Sequence, residues 1–388
     1  RLRFQYKNSI ISTVNGGEAK MSSLSNLLMD KIMLFDGAMG TMLQKYGFKE
    51  QCSNHSNKIL QDFYEEEEKF IKFSNQALEI RNNECQIEEF RSFTDTVAIN
   101  LPTRSLYPLQ LLCAYHLAFS QNACNFSVPG AGKTSIVYGA YAYLKSLSSE
   151  NPKRVDKLFI VGPLSSFGPW ELEYQECFGK KPSVKRLFSG MSRDEKIDYL
   201  HSRNTSDIIL TSYASLVSLQ EALNFFLKYN NVMVVLDEAH KAKNTSGGII
   251  AQAVLELSKY CKARVVLTGT PAPNGYQDLY NLFKFIWPTK NVIGYEVNQL
   301  RDITSNSRDP RVPDLINNIS PYFMRIKKSD LGIPAATVHP PQYIDMGPAQ
   351  RKIYDFIEKK YIDSMLEEKS LDISSGFRSS LLKAKTIR

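Results

Sequence analysis

The sequence predicts an α/β fold: a mostly parallel central sheet flanked by helices, preceded by a helical accessory region. Two observations carry the prediction. Past residue 101, short β-branched runs alternate with longer helical segments. The runs are KLFIVGP (Lys157–Pro163), DIILTSY (Asp207–Tyr213), VMVVLDEAH (Val232–His240) and ARVVLTGTP (Ala263–Pro271), and the segments between them include Ser215–Tyr229 and Gly248–Tyr260. Strands separated by helices belong to a parallel sheet covered on both faces. Turn and polar residues also cluster at the C-terminal end of each run. Ligands on such sheets bind outside the carboxyl ends of the strands, so motifs far apart in sequence converge on one edge.

Composition sets the frame. With 388 residues the chain exceeds one ordinary core and suggests two domains. Its 43% hydrophobic and 23% charged residues are ordinary for a soluble globular protein. A net charge of +8 and a pI near 9.0 lean towards polyanionic partners without saying which. Six cysteines occur, none in a CxxC pair, so no zinc framework is visible. Such scattered cysteines point to a reducing, cytoplasmic location, and the compact motif spacing to a bacterial source. No apolar run approaches the roughly 20 residues that span a bilayer, so no membrane partner is expected. No signal peptide is recognisable. Beginning at Arg1 without Met and stopping at Arg388 in a helical pattern, the chain reads as part of a longer polypeptide.

Residues 1–100 read as the helical accessory region. Phe63–Phe93 has apolar residues at near-helical spacing, and its acidic run Glu65–Glu68 is expected to be a solvated face. Upstream, Leu34–Phe48 (LFDGAMGTMLQKYGF) resembles the opening of homocysteine methyltransferases, but the adjacent cysteine pair with which those enzymes bind zinc does not occur.

The segment Asn125–Ser135 reads NFSVPGAGKTS and opens into a helical stretch, Ile136–Leu147. Glycines let the backbone bend until successive N–H groups face phosphate oxygens, and the following helix adds its dipole. Gly130, Ala131, Gly132, Lys133, Thr134 and Ser135 are therefore candidate nucleotide-binding residues. Lys133 would reach the outer phosphates, and the Thr134 hydroxyl would ligate Mg²⁺. Such loops usually begin with Gly; here that position is Ser127. The plain alternative is a glycine-rich turn capping a helix.

VVLDEAHKAKN (Val234–Asn244) delivers two carboxylates to a strand tip. Asp237 is expected to hold the metal bridging the nucleotide phosphates, and Glu238 to polarise the attacking water. Glu238 and Lys133 are thus the candidate catalytic residues. His240 would relay between the nucleotide and LTGTP, where Thr268 and Thr270 would sense the terminal phosphate or contact the acidic motif. Upstream, in LYPLQ, the Gln110 amide can pair with an adenine edge, although a surface Gln on an amphipathic helix reads as well.

In this order the motifs resemble superfamily-two helicase-type ATPases, and most closely the Swi/Snf family of double-stranded-DNA translocases. LYPLQ resembles the adenine-reading motif, GAGKT the first motif, and Phe159–Gly179, with its Trp170-Glu171 pair, motif Ia. Ile209–Leu216 resembles motif Ib, DEAHKAKN the extended second motif, and LTGTPAPN the third. Ile319–Ile357 resembles the bridge leaving the first lobe. The likeness spans residues 104–388. It implies a RecA-like P-loop lobe over 101–320, a bridge over 321–388, and a second RecA-like lobe with an arginine finger after Arg388. The implied cofactors are ATP and Mg²⁺, and the implied partner is double-stranded DNA. Motifs Ia and Ib would track its backbone, near Ser165, Ser166, Thr211 and Ser212. Arg325, Lys327 and Lys328 would touch phosphate or couple the lobes, unless they form a solvated turn. An RNA-directed helicase and a nucleotide-gated recruitment module that never turns over are the alternatives.

Overall fold

The β-branched runs fold as anticipated, and the sheet they build fixes where every motif lies. A computed structural model describes residues 49–367, except 189, 246, 307, 333–339 and 341. The stretch Leu34–Phe48 lies outside the described residues. The chain divides into two units, Arg1–Ile333 and Pro334–Arg388.

In the first unit a seven-stranded sheet runs in the order β3-β4-β2-β5-β6-β1-β7. The strands are β1 (Asn122–Asn125), β2 (Lys157–Val161), β3 (Val184–Leu187), β4 (Ile208–Thr211), β5 (Val232–Leu236), β6 (Ala263–Leu267) and β7 (Phe323–Met324). All neighbouring pairs are parallel. One register row crosses Thr211, Val161, Leu236, Val266, Cys124 and Phe323. The next residue on each strand therefore stands at one common carboxyl rim, and Asp237 is among them.

Alternate residues of the strands feed opposite faces. Phe159, Val161, Val234 and Leu236 pack with α7 (Tyr213–Tyr229), α8 (Ile249–Ser258) and α9 (Leu279–Ile286). Leu158, Ile160, Met233 and Val235 pack with α3 (Pro108–Ser120), α4 (Lys133–Ser146) and α5 (Phe167–Phe178). α6 (Arg193–His201) lies between β3 and β4, and α10 (Val297–Ser305) and α11 (Val312–Ile319) follow α9.

The accessory region differs from expectation in one respect. Phe63–Phe93 is not one helix but parts of two, α1 (Lys49–Asn82) and α2 (Ile87–Asn100). Asn83 takes the left-handed backbone (φ 61°), and Glu84 N–H returns to Glu79 O at 2.8 Å, closing α1. Phe73 of α1 enters one core and Ile80, Phe93 and Val97 the other, so residues 64–100 are packed into the same unit as the sheet. At the other end, β7 and Ile326 fall within the expected bridge, 321–388, yet β7 completes the sheet beside β1. In the second unit, α12 (Pro348–Glu367) begins at the anticipated Pro-x-Gln, and the Gln350 Oε1 accepts Gly347 N–H at 3.1 Å.

Candidate functional site

β1 is short and polar, and its residues are held by burial between β6 and β7 rather than by propensity. It launches the glycine-rich loop. Gly130 (φ 85°) and Gly132 (φ 77°) adopt the left-handed backbone that glycine tolerates, and Gly132 caps α4. A Cβ on Gly132 would stand 2.3 Å from Gln110 Nε2, whereas one on Gly130 would meet nothing within 4 Å. Ser127, where a glycine is usual, has no positive φ. It is buried, and its hydroxyl accepts Ile326 N–H at 2.9 Å, clasping the loop to the strand that exits the lobe. Lys133 Nζ donates to Ser127 O (3.1 Å) and Val128 O (3.4 Å). Burial lowers the Lys133 pKa, while Glu238 and Asp237 act in the opposite sense. Thr134 occupies the first turn of α4, half-buried, and the buried Ser135 donates to Glu173 of α5.

Asp237 is fixed from three directions. Its N–H donates to Val161 O (2.8 Å), its carbonyl accepts the Tyr213 hydroxyl (3.0 Å), and its Oδ2 accepts the Trp170 indole N–H (3.0 Å). Glu238 is left-handed (φ 50°), a strained state for a residue with a side chain, and such strain concentrates at functional sites. Its carboxylate faces His240 Nδ1 at 3.3 Å.

The third motif joins the same rim. Thr268 is buried, accepts Thr270 N–H on Oγ1 (3.2 Å) and donates its own N–H to Asn125 O (3.2 Å). Gly269 abuts the loop: a Cβ there would stand 3.0 Å from Pro129 Cδ. The link from the acidic segment to this motif is made by Lys243, whose buried amine donates to Thr270 O, while the exposed His240 stays with Glu238. Gln110 closes the other side. Its Oε1 accepts Tyr107 N–H (3.0 Å) and its Nε2 donates to Ala131 O (3.0 Å), so the residue expected at adenine also braces the loop.

The candidate nucleic-acid residues separate into three places. Ser165 and Ser166 lie on a turn, Leu164–Ser166, just past β2 on the carboxyl rim. Ser212 caps α7, accepting Ser215 N–H. Thr211 departs from expectation: as the last residue of β4, enclosed by β2 and β3, it is fully buried and cannot present its hydroxyl to a backbone phosphate. Arg325, Lys327 and Lys328 are exposed beyond β7. Sequence reasoning did not assign Trp170, Tyr213 and Lys243 a contact at the site, since their partners are distant in the chain. The ring O–H of Tyr213 just after β4, and the ring N–H of Trp170 in the first turn of the helix that follows β2, were the available signal.

The SNF2-related domain family matches residues 120–387. The ATP-dependent helicase FUN30 of Saccharomyces cerevisiae is 26% identical over 258 residues, covering 62% of this chain and 22% of that protein. The putative ATP-dependent helicase/translocase YwqA of Bacillus subtilis is 25% identical over 271 residues, covering 68% and 28%. Among solved structures, the Sulfolobus solfataricus SWI2/SNF2 ATPase core in complex with dsDNA aligns with TM-score 0.47 and 24% identity over 74% of this chain and 59% of that one. The chain thus spans 22% and 28% of the length of these two curated relatives. A family match over most of the sequence, on a parallel sheet whose rim gathers the family's motifs, is decisive: this chain belongs to the SNF2-related domain family and carries its first, RecA-like lobe.

Proposed function

We propose that this chain is the nucleotide-binding lobe of an ATP-driven motor that moves along duplex DNA. The observation that carries the reading is that the loop leaving β1, with Lys133 at its end, and the Asp237-Glu238 pair leaving β5 stand at the same carboxyl rim of the sheet. These residues fit Mg-ATP. The open side of Gly130 leaves room for phosphate beside the N-terminus of α4, and Lys133 needs only to exchange two loop carbonyls for phosphate oxygens. Thr134 and Asp237 would hold magnesium, which supplies charge neutralisation across the phosphates. Glu238 would take the proton of the attacking water, with His240 Nδ1 orienting its carboxylate. Gln110 would pass the presence of the base to the loop through Ala131.

Duplex DNA would lie across the turns at Ser165–Ser166 and Ser212, with Arg325, Lys327 and Lys328 as further phosphate contacts. Contacts of this kind position without reading sequence and weaken with salt. The names of the relatives, helicases and a translocase, support the same reading. A second lobe of the full protein would contribute an arginine finger, worth about 10³–10⁵ in rate. Residues 1–388 alone are therefore expected to bind Mg-ATP and to hydrolyse it slowly. ATP turnover measured with duplex DNA, single-stranded DNA and RNA tests the proposal. Duplex DNA should stimulate most. Equal or stronger stimulation by RNA would contradict the DNA assignment, and binding without any turnover in the intact protein would favour a recruitment module.

A further inference from the structure

We propose that Trp170 and Tyr213 are positioning residues that tie Asp237 to the two turns expected to touch duplex backbone, so that nucleic acid on those turns sets the geometry of the metal-binding carboxylate. The inference rests on the nucleotide-site reading above and adds to it the route by which nucleic acid regulates that site.

The two turns leave adjacent strands, β2 and β4, at the same rim. Each is followed at once by a helix whose first turn carries one of these rings. After Leu164–Ser166 comes α5, and Trp170 lies in its first turn. After Ser212 comes α7, and Tyr213 is its first residue. Trp170 holds the side chain of Asp237, and Tyr213 holds its main chain. Both rings are almost fully buried, so neither can swing away without repacking. Trp170 is further pinned by its own carbonyl, which accepts the Tyr138 hydroxyl at 2.6 Å, and by an edge-on contact with that ring.

Gly162, without a side chain, lies close to both the first turn and the acid. A Cβ on Gly162 would stand 2.8 Å from Ser166 Oγ and 3.3 Å from Asp237 Cβ. A shift of the Leu164–Ser166 turn on binding phosphate would reach Asp237 through the first turn of α5 and its indole. The indole–carboxylate bond is charge-assisted and directional. It occupies Oδ2 and leaves Oδ1 without a hydrogen-bond donor among the described residues, the oxygen a hydrated cation would use.

The test uses Tyr213→Phe, which removes only the hydroxyl, and Trp170→Phe, which removes the indole N–H together with part of the ring volume, in the 388-residue chain. ATP affinity is titrated against Mg²⁺, with and without duplex DNA. Wild type should bind ATP more tightly with Mg²⁺ and more tightly again with duplex. Trp170→Phe should need about tenfold more Mg²⁺ to reach the same affinity, and Tyr213→Phe about threefold more. The double variant should lose most of the duplex effect, while magnesium-free ATP affinity stays unchanged. The chain has two tryptophans, so in Trp287→Phe the fluorescence of Trp170 alone should respond to Mg-ATP and again to duplex. That signal decides the matter if Trp170→Phe does not fold. Wild-type magnesium dependence and duplex effect in both Phe variants, or a silent Trp170, would overturn the inference. Failure of wild type itself to bind Mg-ATP would overturn the nucleotide reading instead.

Discussion

His116 makes this lobe sensitive to mild acid. It sits on α3, fully buried, with Nε2 2.7 Å from Pro321 O just ahead of β7. The neutral ring donates Nε2–H to that carbonyl, and Nδ1 has no partner among the described residues. A second proton would place an unpaired N–H and a charge in the core. Burial accordingly lowers the His116 pKa to about 4; the Pro321 carbonyl opposes the shift and Arg81 of α1 adds to it. The sign follows from proton counting. Between about 6.5 and about 4 the unfolded imidazole is protonated and the folded one is not, so stability is complete above the upper value and falls as pH drops towards the lower. The whole window is worth about 3 kcal/mol, of which about 2 kcal/mol is lost by about pH 5. Urea unfolding followed by tryptophan fluorescence measures it, since Trp170 and Trp287 both lie in the first unit. The comparison variant is His116→Gln, whose amide can still donate to Pro321 O but does not titrate. Its loss of stability between pH 7 and pH 5 should be smaller than that of wild type by about 2 kcal/mol. Equal acid losses in the two proteins would refute the reasoning, whatever the cost of the substitution at neutral pH.

Three further outcomes are expected. Glu238→Gln in the intact protein should bind Mg-ATP as wild type does and stop hydrolysing it, read by calorimetry beside phosphate release; sustained turnover would remove Glu238 from the water-polarising role. Gly132→Ala must hold an alanine at φ 77° and displace Gln110 from Ala131, so the lobe should lose about 1–2 kcal/mol and bind ATP more weakly; an unchanged melting temperature would argue against this loop geometry. Lys243→Met should leave ATP affinity near wild type while slowing turnover, because it severs the acidic segment from Thr270; unaltered kinetics would show that the contact does not couple the two motifs.

Much of this architecture was legible because burial on both faces writes itself as β-branched runs. β2, β4, β5 and β6 were each anticipated, with ends trimmed where polar residues begin to line the rim. β1 and β3 were not read as strands. NACN and VKRL lack the composition, and they are strands because parallel neighbours supply their hydrogen bonds. β7 is two residues long and exists only by pairing with β1, so nothing local marks it. The long helix expected over Phe63–Phe93 broke at Asn83, a residue that tolerates the left-handed turn, and helical periodicity alone did not reveal the stop. At the site, the phosphate loop and the Asp237-Glu238 pair were legible as contiguous motifs. The ties between motifs were not. Trp170 with Asp237, Lys243 with Thr270 and Ser127 with Ile326 are contacts of the folded sheet, joining segments that share no local pattern. Thr211 shows the converse. The resemblance to motif Ib implied a backbone contact there, and flanking strands on both sides enclose the residue.

The central claim is that one lysine and two neighbouring acids surround a single magnesium-bound nucleotide. Calorimetric titration of Mg-ATP into the wild-type chain and into Lys133→Ala, at matched magnesium, addresses it most directly. The account predicts saturable one-to-one binding by wild type and none by the variant, with both proteins melting at similar temperatures. Wild-type affinity retained in Lys133→Ala would contradict it.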